Sequence, residues 1–409
     1  MTRKMLFISM CMPFDKASHA GGKTFNFYIK NFAKKGYDIK LITKILPDEE
    51  KYVKDIIPQI SIYPVSTPKK TIYRYISYFK SLNSKFNPFY KYGNILTSEI
   101  YNQIFSHLVQ LKKSGYYPDV VVLEWTSILL YIDKVKEIFP NALYISSEHD
   151  VTFLGLERKY LFNKNQLKRL YLKFLYLTMK KNELRSINKC DLVVTHNSKD
   201  KRLLLENGIE KDKVGVIVPY YEKFPIVKRN CNYRDIIFYG AMNREENYIS
   251  VIWFIENVIP LLNDIEFRFI VIGNKPPKKL YNYQSDNILI TGFVEDPTCY
   301  FENSVCLVAP LLLGAGVKVK ILEALSSGIP VLTNDIGIEG IDAIDGEDYF
   351  HCTTKEDYAI AIKKIFNKEL DIKLISYNSK KFIESNYDLD KSFSQYDERI
   401  EKLLNEKES

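Results

Sequence analysis

The sequence predicts an α/β protein of two Rossmann-like domains facing a cleft. Three observations carry this. At 409 residues the chain is long for a single hydrophobic core, so two domains are expected. Short apolar runs alternate with helix-periodic stretches, which is the pattern of a parallel sheet with right-handed crossovers. That rhythm then restarts near Asp235. In such sheets ligands collect at the carboxyl ends of the strands, so the cleft is the expected site.

Composition narrows the class. The chain is 46% hydrophobic and 26% charged, which is globular, and no apolar run is long enough to span a bilayer. The basic start followed by MLFISM reads as a first buried strand and not as a signal peptide, because no small-residue cleavage site follows. Six Cys are scattered without C-x-x-C spacing, which points to a reducing compartment and away from structural zinc. A cytoplasmic protein is expected. The net charge of +8 suits a nucleotide or an anionic membrane surface. No nucleic-acid-binding signature is visible, so no nucleic acid is expected as a partner.

Taken in order, strands are expected at 4–10, 38–43, 119–125, 142–146, 191–196 and 214–219 in the first half. In the second half they are expected at 235–240, 267–273, 287–292, 304–310, 330–334 and 348–352. The segment 220–233, with Pro225 and a basic cluster, is the expected linker, which sets domains at 1–220 and 233–385. The loop 17–24, ASHAGGKT, satisfies a relaxed Walker A pattern with Ala17 where Gly is usual. A P-loop NTPase is therefore an alternative. The long gap from Met10 to the glycine pair weighs against it, and so does the unexplained C-terminal half. A plain turn is the other alternative. Segments 66–92 and 157–189 are rich in basic and aromatic residues, the second with ten Lys or Arg against two Glu. A basic amphipathic helix of this kind either lies on an anionic bilayer or packs on the sheet and solvates its charges.

The most informative stretch is 304–340, SVCLVAPLLLGAGVKVKILEALSSGIPVLTNDIGIEG. An apolar strand closed by Pro310 leads to Gly314 and Gly316, where backbone can approach a ligand closely. A helix-spaced apolar face follows, with Gly328 as its stop, and Pro330 opens another strand. A helix N-terminus behind a glycine loop suits a phosphate. Lys318 and Lys320 add positive charge, and Glu323 lies one turn on, so a diphosphate with a nearby ribose fits the set.

Read as a unit, residues 314–331 resemble the donor-binding segment of GT-B glycosyltransferases of the family 4 or group 1 type, G-x-G-x-K/R-x-K-x-x-E-A-x-x-x-G-x-P-V. Residues 238–262 resemble the same family through Asn247, Trp253, Phe254 and Pro260, and GFVEDPTCYFENS resembles its segment beside the nucleotide base. The chain departs from the family twice. Where many relatives carry an Arg and a Lys on the diphosphate, it has Ala241 and Glu246, with Arg244 as a substitute from the same loop. Ala315 also stands eight residues before Glu323, where an acid is widespread.

The resemblance implies a retaining transferase that moves a sugar from a nucleotide diphosphate sugar to an acceptor hydroxyl, a glycan or a lipid-linked group. The setting it implies is cell-surface glycan synthesis at the inner membrane face. Lys318, Lys320, Arg244 and the Gly314–Gly316 backbone would stabilise the leaving diphosphate. Glu323 would hold the ribose, and Gly21 and Gly22 would lie near the phosphates. His149, in SSEHD at a strand end, would approach the donor sugar as a catalytic residue. His196 reads as structural, in a THNSKD segment with Ser198 as helix N-cap. The resemblance further implies a C-terminal helix, 386–409, that crosses back to the first domain. The only D-x-D, at 388–390, lies in the helical tail, and there is no HExxH or Cys/His cluster, so no metal is expected and no cofactor beyond the sugar donor. A catalytically silent GT-B partner subunit remains the alternative within the fold, motivated by the missing Arg, Lys and first acid.

Overall fold

The structure is a computed structural model that describes residues 2–15, 17, 19–55, 59–66, 98–224, 226, 234–314 and 316–408. The basic segment 66–92 lies outside these from residue 67 on, as do Ala315 and most of the 220–233 linker. The chain divides into two compact units, Met1–Tyr220 with Asp390–Ser409, and Tyr221–Leu389.

Among the described residues the first unit holds seven parallel strands: β1 (Lys4–Ser9), β2 (Asp38–Ile45), β3 (Ile60–Ser66), β4 (Val120–Glu124), β5 (Leu143–Glu148), β6 (Leu192–Thr195) and β7 (Val214–Val216). Their spatial order is β3-β2-β1-β4-β5-β6-β7. Both faces are covered, so the strands read as unbroken apolar runs. Period-two alternation divides them between two cores. Leu6, Ile8, Val121 and Leu123 point to one, with the helix Ser98–Lys113. Met5, Phe7, Val120 and Val122 point to the other, with the helices Ala20–Lys34 and Leu389–Glu408. The terminal helix is tied there by its polar side as well as by Tyr396, Ile400 and Leu404. Tyr37 Oη donates to Asp397 at 2.7 Å, and Lys35 pairs with the same carboxylate. The strand β3 has no counterpart among the sequence expectations. Pro64 inside it removes a ladder donor, which only an edge position tolerates, and β3 is an edge strand.

The second unit holds six parallel strands: β8 (Asp235–Tyr239), β9 (Arg268–Ile272), β10 (Ile288–Gly292), β11 (Cys306–Ala309), β12 (Val331–Thr333) and β13 (Phe350–His351). Their order is β10-β9-β8-β11-β12-β13. The chain order reverses between β8 and β11, and in open α/β sheets a crevice forms at such a reversal. The loops that follow these two strands carry the residues considered next.

Candidate functional site

In the second unit, β11 leads through Gly314 and Gly316 to the helix Val319–Ser327. Gly314 has φ +140°, a conformation that side-chain-bearing residues rarely adopt, and this favours glycine at the turn. Lys318 stands at the N-cap and no side chain caps this end. The opposite end stops as expected, with Gly328 left-handed at φ +74°.

Three cations gather around this N-terminus. Lys320 Nζ donates to Asn247 Oδ1 at 2.7 Å and lies 4.5 Å from the Phe238 ring centroid. Asn247 in turn donates to Ala241 O at 2.8 Å. Lys318 Nζ is 3.7 Å from Glu339 Oε2, and both side chains are nearly buried. Arg244, at the N-cap of the helix Glu245–Asn257, pairs with Glu246 at 2.5 Å. Glu246, where the resemblance implies a Lys, is thus engaged by the expected substitute Arg244. Burial lowers the Lys320 pKa to about 7, and the neighbouring charges of Lys318 and Arg244 add to the shift. A cation held this way gains from any anion that joins it. One turn on, Glu323 is buried and its Oε1 lies 3.4 Å from Glu222 N.

The strand ends of the first unit build a second group. His149 Nε2 lies 2.9 Å from Glu124 Oε2, joining the ends of β5 and β4. Burial lowers His149 to about 3 and raises Glu124 to about 8, which favours the neutral form of each. Trp125 stacks on His149 at 4.1 Å and 19°, and holds φ +66° to do so. A left-handed conformation is unfavourable for a bulky residue, and such strain is characteristically kept at functional sites. The His196 ring lies 4.6 Å from His149, its Nδ1 is 3.3 Å from Ile217 O, and its Nε2 is buried without a partner among the described residues.

The glycine pair sits differently from expectation. The helix begins at Ala20, so Gly21 and Gly22 occupy its first turn and not a loop. Gly22 N donates to His19 Nδ1 at 3.0 Å, so that amide is already engaged. A Cβ on Gly21 would lie 3.2 Å from both His149 Nδ1 and Trp125 Cζ2. Gly21 therefore lets the helix N-terminus close onto the His149 ring. The cap of the helix Ser198–Glu206 is also corrected. Asn197 accepts from Asp200 N at 2.7 Å, and Ser198 is the first helical residue.

Beneath His149 lies a cluster with no sequence signature. Thr126 Oγ1 is 2.7 Å from Glu148 Oε2 and 3.1 Å from Glu183 Oε1, and Thr152 Oγ1 is 2.8 Å from it. Glu183 also accepts from the amides of Thr152 and Phe153, each at 2.9 Å, capping the helix Thr152–Phe162 from the following helix, Gln166–Ile187. One hydroxyl carries one proton and can donate to only one of three oxygens. A protonated Glu148 or Glu183 donating to Thr126 would satisfy the whole set. Burial raises both carboxyls, Glu148 to about 7 and Glu183 well above the ordinary range.

The structure thus brings Lys318, Lys320, Arg244, Gly314, Gly316 and Glu323 together in one unit, and Gly21, Gly22 and His149 in the other. Sequence reasoning missed Glu124, Trp125 and the holding role of Asn247. The first two directly follow the β4 apolar run, where a strand-end rule finds them, while Asn247 needs the fold. Among the described residues no group of three or more His, Cys, Asp or Glu is placed to hold a metal.

Comparison with known proteins bears on the family and the fold. The family model for group 1 glycosyl transferases matches residues 233–368. An uncharacterized glycosyltransferase of Methanocaldococcus jannaschii is 24% identical over 93% of this chain and 97% of that protein. The structure of sucrose-phosphate synthase from Thermosynechococcus elongatus superposes with a TM-score of 0.70 at 13% identity, covering 98% of this chain and 100% of that one. Anabaena HepE, solved in complex with UDP, superposes with a TM-score of 0.68 at 12% identity, covering 98% and 100%. The fold is GT-B, and the second unit carries the group 1 signature.

Proposed function

We propose that this chain, a GT-B protein of the group 1 glycosyltransferase type, is a retaining enzyme that transfers a sugar from a nucleotide diphosphate sugar to an acceptor hydroxyl. One observation carries the reading: Lys318, Lys320 and Arg244 meet around an uncapped helix N-terminus behind Gly314 and Gly316. That is a site for a diphosphate, with the charge its departure needs. The second unit is assigned the donor and the first the acceptor. A uridine diphosphate sugar is the first donor to try, because HepE was solved with UDP.

In this mechanism the anomeric C–O bond to the diphosphate breaks as the acceptor hydroxyl forms its bond on the same face. The hydroxyl proton passes to the leaving phosphate oxygen, so no nucleophilic carboxylate is needed, in contrast to two-carboxylate glycosidases. Lys318, Lys320, Arg244 and the helix N-terminus take up the developing charge. They fill the role a metal plays elsewhere, and no further cofactor is invoked. Glu323 holds the ribose hydroxyls and His149 approaches the donor sugar. The acceptor is assigned as a glycan or lipid-linked group of cell-surface glycan synthesis, with the enzyme in the cytoplasm.

The test is thermal shift with UDP, GDP, ADP and ATP, with and without magnesium, followed by turnover of the matching sugar donor. Stabilisation by UDP or GDP in chelator, lost in Lys320→Ala together with transfer, is expected. Full turnover in Lys320→Ala sinks the mechanism. The pairing of Arg244 with Glu246 favours one second reading, a catalytically silent GT-B subunit, and failure of every nucleotide to stabilise would support it. Stabilisation by ATP with magnesium alone would restore the P-loop reading, which the engaged Gly22 amide weighs against.

A further inference from the structure

The helices Thr152–Phe162 and Gln166–Ile187 form a hairpin whose base is buried and whose far part is bare. Met179, Glu183, Ser186 and Ile187 are buried in the second helix, and Tyr160 stacks on Tyr176 between the two. On the other side of the same helix, Leu167, Leu170, Phe174 and Leu177 are exposed, Leu167 by 81% and Leu170 by 66%. Their spacing of three, four and three places them within an arc of about 80° at 3.6 residues per turn. Met179, Glu183 and Ser186 lie on the opposite side of the helix. Leu161 and Phe162 extend the apolar surface to the hairpin tip, Phe162 at 77% exposure. A soluble surface rarely keeps such a contiguous patch without a use for it.

The charges around the stripe identify its partner. Lys173, Lys181 and Arg185 are exposed and border or continue the stripe. From Arg158 to Asn182 the sequence contains no Asp or Glu. Glu157 is hydrogen-bonded to Tyr176, and Glu183 is buried. The occupant must therefore be apolar within and negative at its rim. Residues 67–97 do not fit, because they carry six Lys or Arg and no acid. A second copy of the same hairpin fails for the same reason.

We propose that this hairpin is a docking element for an anionic phospholipid surface. Leu167, Leu170, Phe174 and Leu177 enter the headgroup–acyl boundary, and Lys173, Lys181 and Arg185 engage lipid phosphates with their stems along the apolar layer. The inference rests on the surface alone and is independent of the assigned reaction.

The full chain is sedimented with phosphatidylcholine vesicles and with phosphatidylcholine–phosphatidylglycerol vesicles. Wild type is expected to pellet with the anionic vesicles only and to be released near 1 M salt, where the Debye length is about 3 Å. The double variant Leu167→Glu with Leu170→Glu is expected to lose at least about tenfold in partitioning with an unchanged melting temperature, since both side chains are largely exposed. Lys173→Glu with Lys181→Glu is expected to do the same while leaving the apolar stripe intact. Wild type left in the supernatant of anionic vesicles overturns the proposal, as does equal binding by either double variant. Self-association of wild type that Leu170→Glu abolishes, without vesicle binding, assigns the face to a contact between copies and likewise overturns it.

Discussion

Asn247 Oδ1 accepts a 2.7 Å hydrogen bond from Lys320 Nζ across 73 positions of sequence, and Asn247 is itself held by Ala241 O. The loop after β8 therefore sets where the Lys320 ammonium of the helix Val319–Ser327 stands. Asn247→Ala is expected to weaken UDP binding by about tenfold, the size of one charge-assisted hydrogen bond. Titration calorimetry on the variant checks this. Unchanged affinity would mean that Lys320 needs no positioning.

The depressed Lys320 pKa gives binding a pH signature. Without ligand the group loses its proton near pH 7, and a diphosphate favours the protonated form. UDP binding is expected to take up a proton and to weaken as pH rises from about 6 to about 8, by up to tenfold per unit above the free-state value. Lys320→Met is expected to remove that slope. Stability moves in the other direction. A Lys whose folded value lies below its unfolded value of 10.5 binds more protons when unfolded, so its contribution improves as pH rises from about 7 toward 10.5. Calorimetry in buffers of different ionisation heat separates these effects.

Glu124 and His149 offer a test of a neutral pair. If Glu124 is protonated it donates to His149 Nε2, 2.9 Å away, and the imidazole proton lies on Nδ1, on the Gly21 side. Glu124→Gln retains a donor and is expected to keep transfer within about fivefold. Glu124→Ala leaves the ring unheld and is expected to lose about a hundredfold, within the usual range for groups that orient a catalytic side chain. The measurement is kcat for the two variants side by side. Equal loss in both would point to an ionised Glu124.

The proton shared through Thr126 is a stability device. Glu148 and Glu183 hold raised pKa values in the folded chain, so folding retains a proton that the unfolded chain releases above pH 4.5. Stability is therefore expected to fall as pH rises from about 4.5 through about 7. Glu183→Gln is expected to flatten part of that decline. Glu183→Ala, which strips the Thr152 and Phe153 amides of their acceptor, is expected to cost about 3 kcal/mol. Denaturant midpoints at three pH values decide it.

Much of this was legible in the sequence. Strands buried on both faces write themselves as apolar runs, and the order of Gly314, Lys318, Lys320, Glu323 and Gly328 spells a glycine turn into a helix that Gly328 ends, because backbone conformation there depends on residue type. What stayed hidden was what depends on distance. Asn247 and Lys320 have no local signal for each other, nor have Glu148, Thr126 and Glu183. The strand β3 escaped because Pro64 argues against a strand until its edge position is known. Gly21 and Gly22 were misplaced because His19, an unusual capping residue, starts the helix earlier than the glycines suggest.

A Cβ on Gly273, at φ +157°, would fall 1.8 Å from the carbonyl oxygen of Gly240. Gly240 N in turn donates to Ile272 O at 3.0 Å, and Met242 N to Asn274 O at 2.9 Å. The loops after β8 and β9 are thus one mechanical piece, because neither can shift without pushing the other's main chain. A side chain at Gly273 would lever the β8 loop outward and carry Asn247 off Lys320, so a position with no side chain of its own sets the tolerance to which the ammonium is placed.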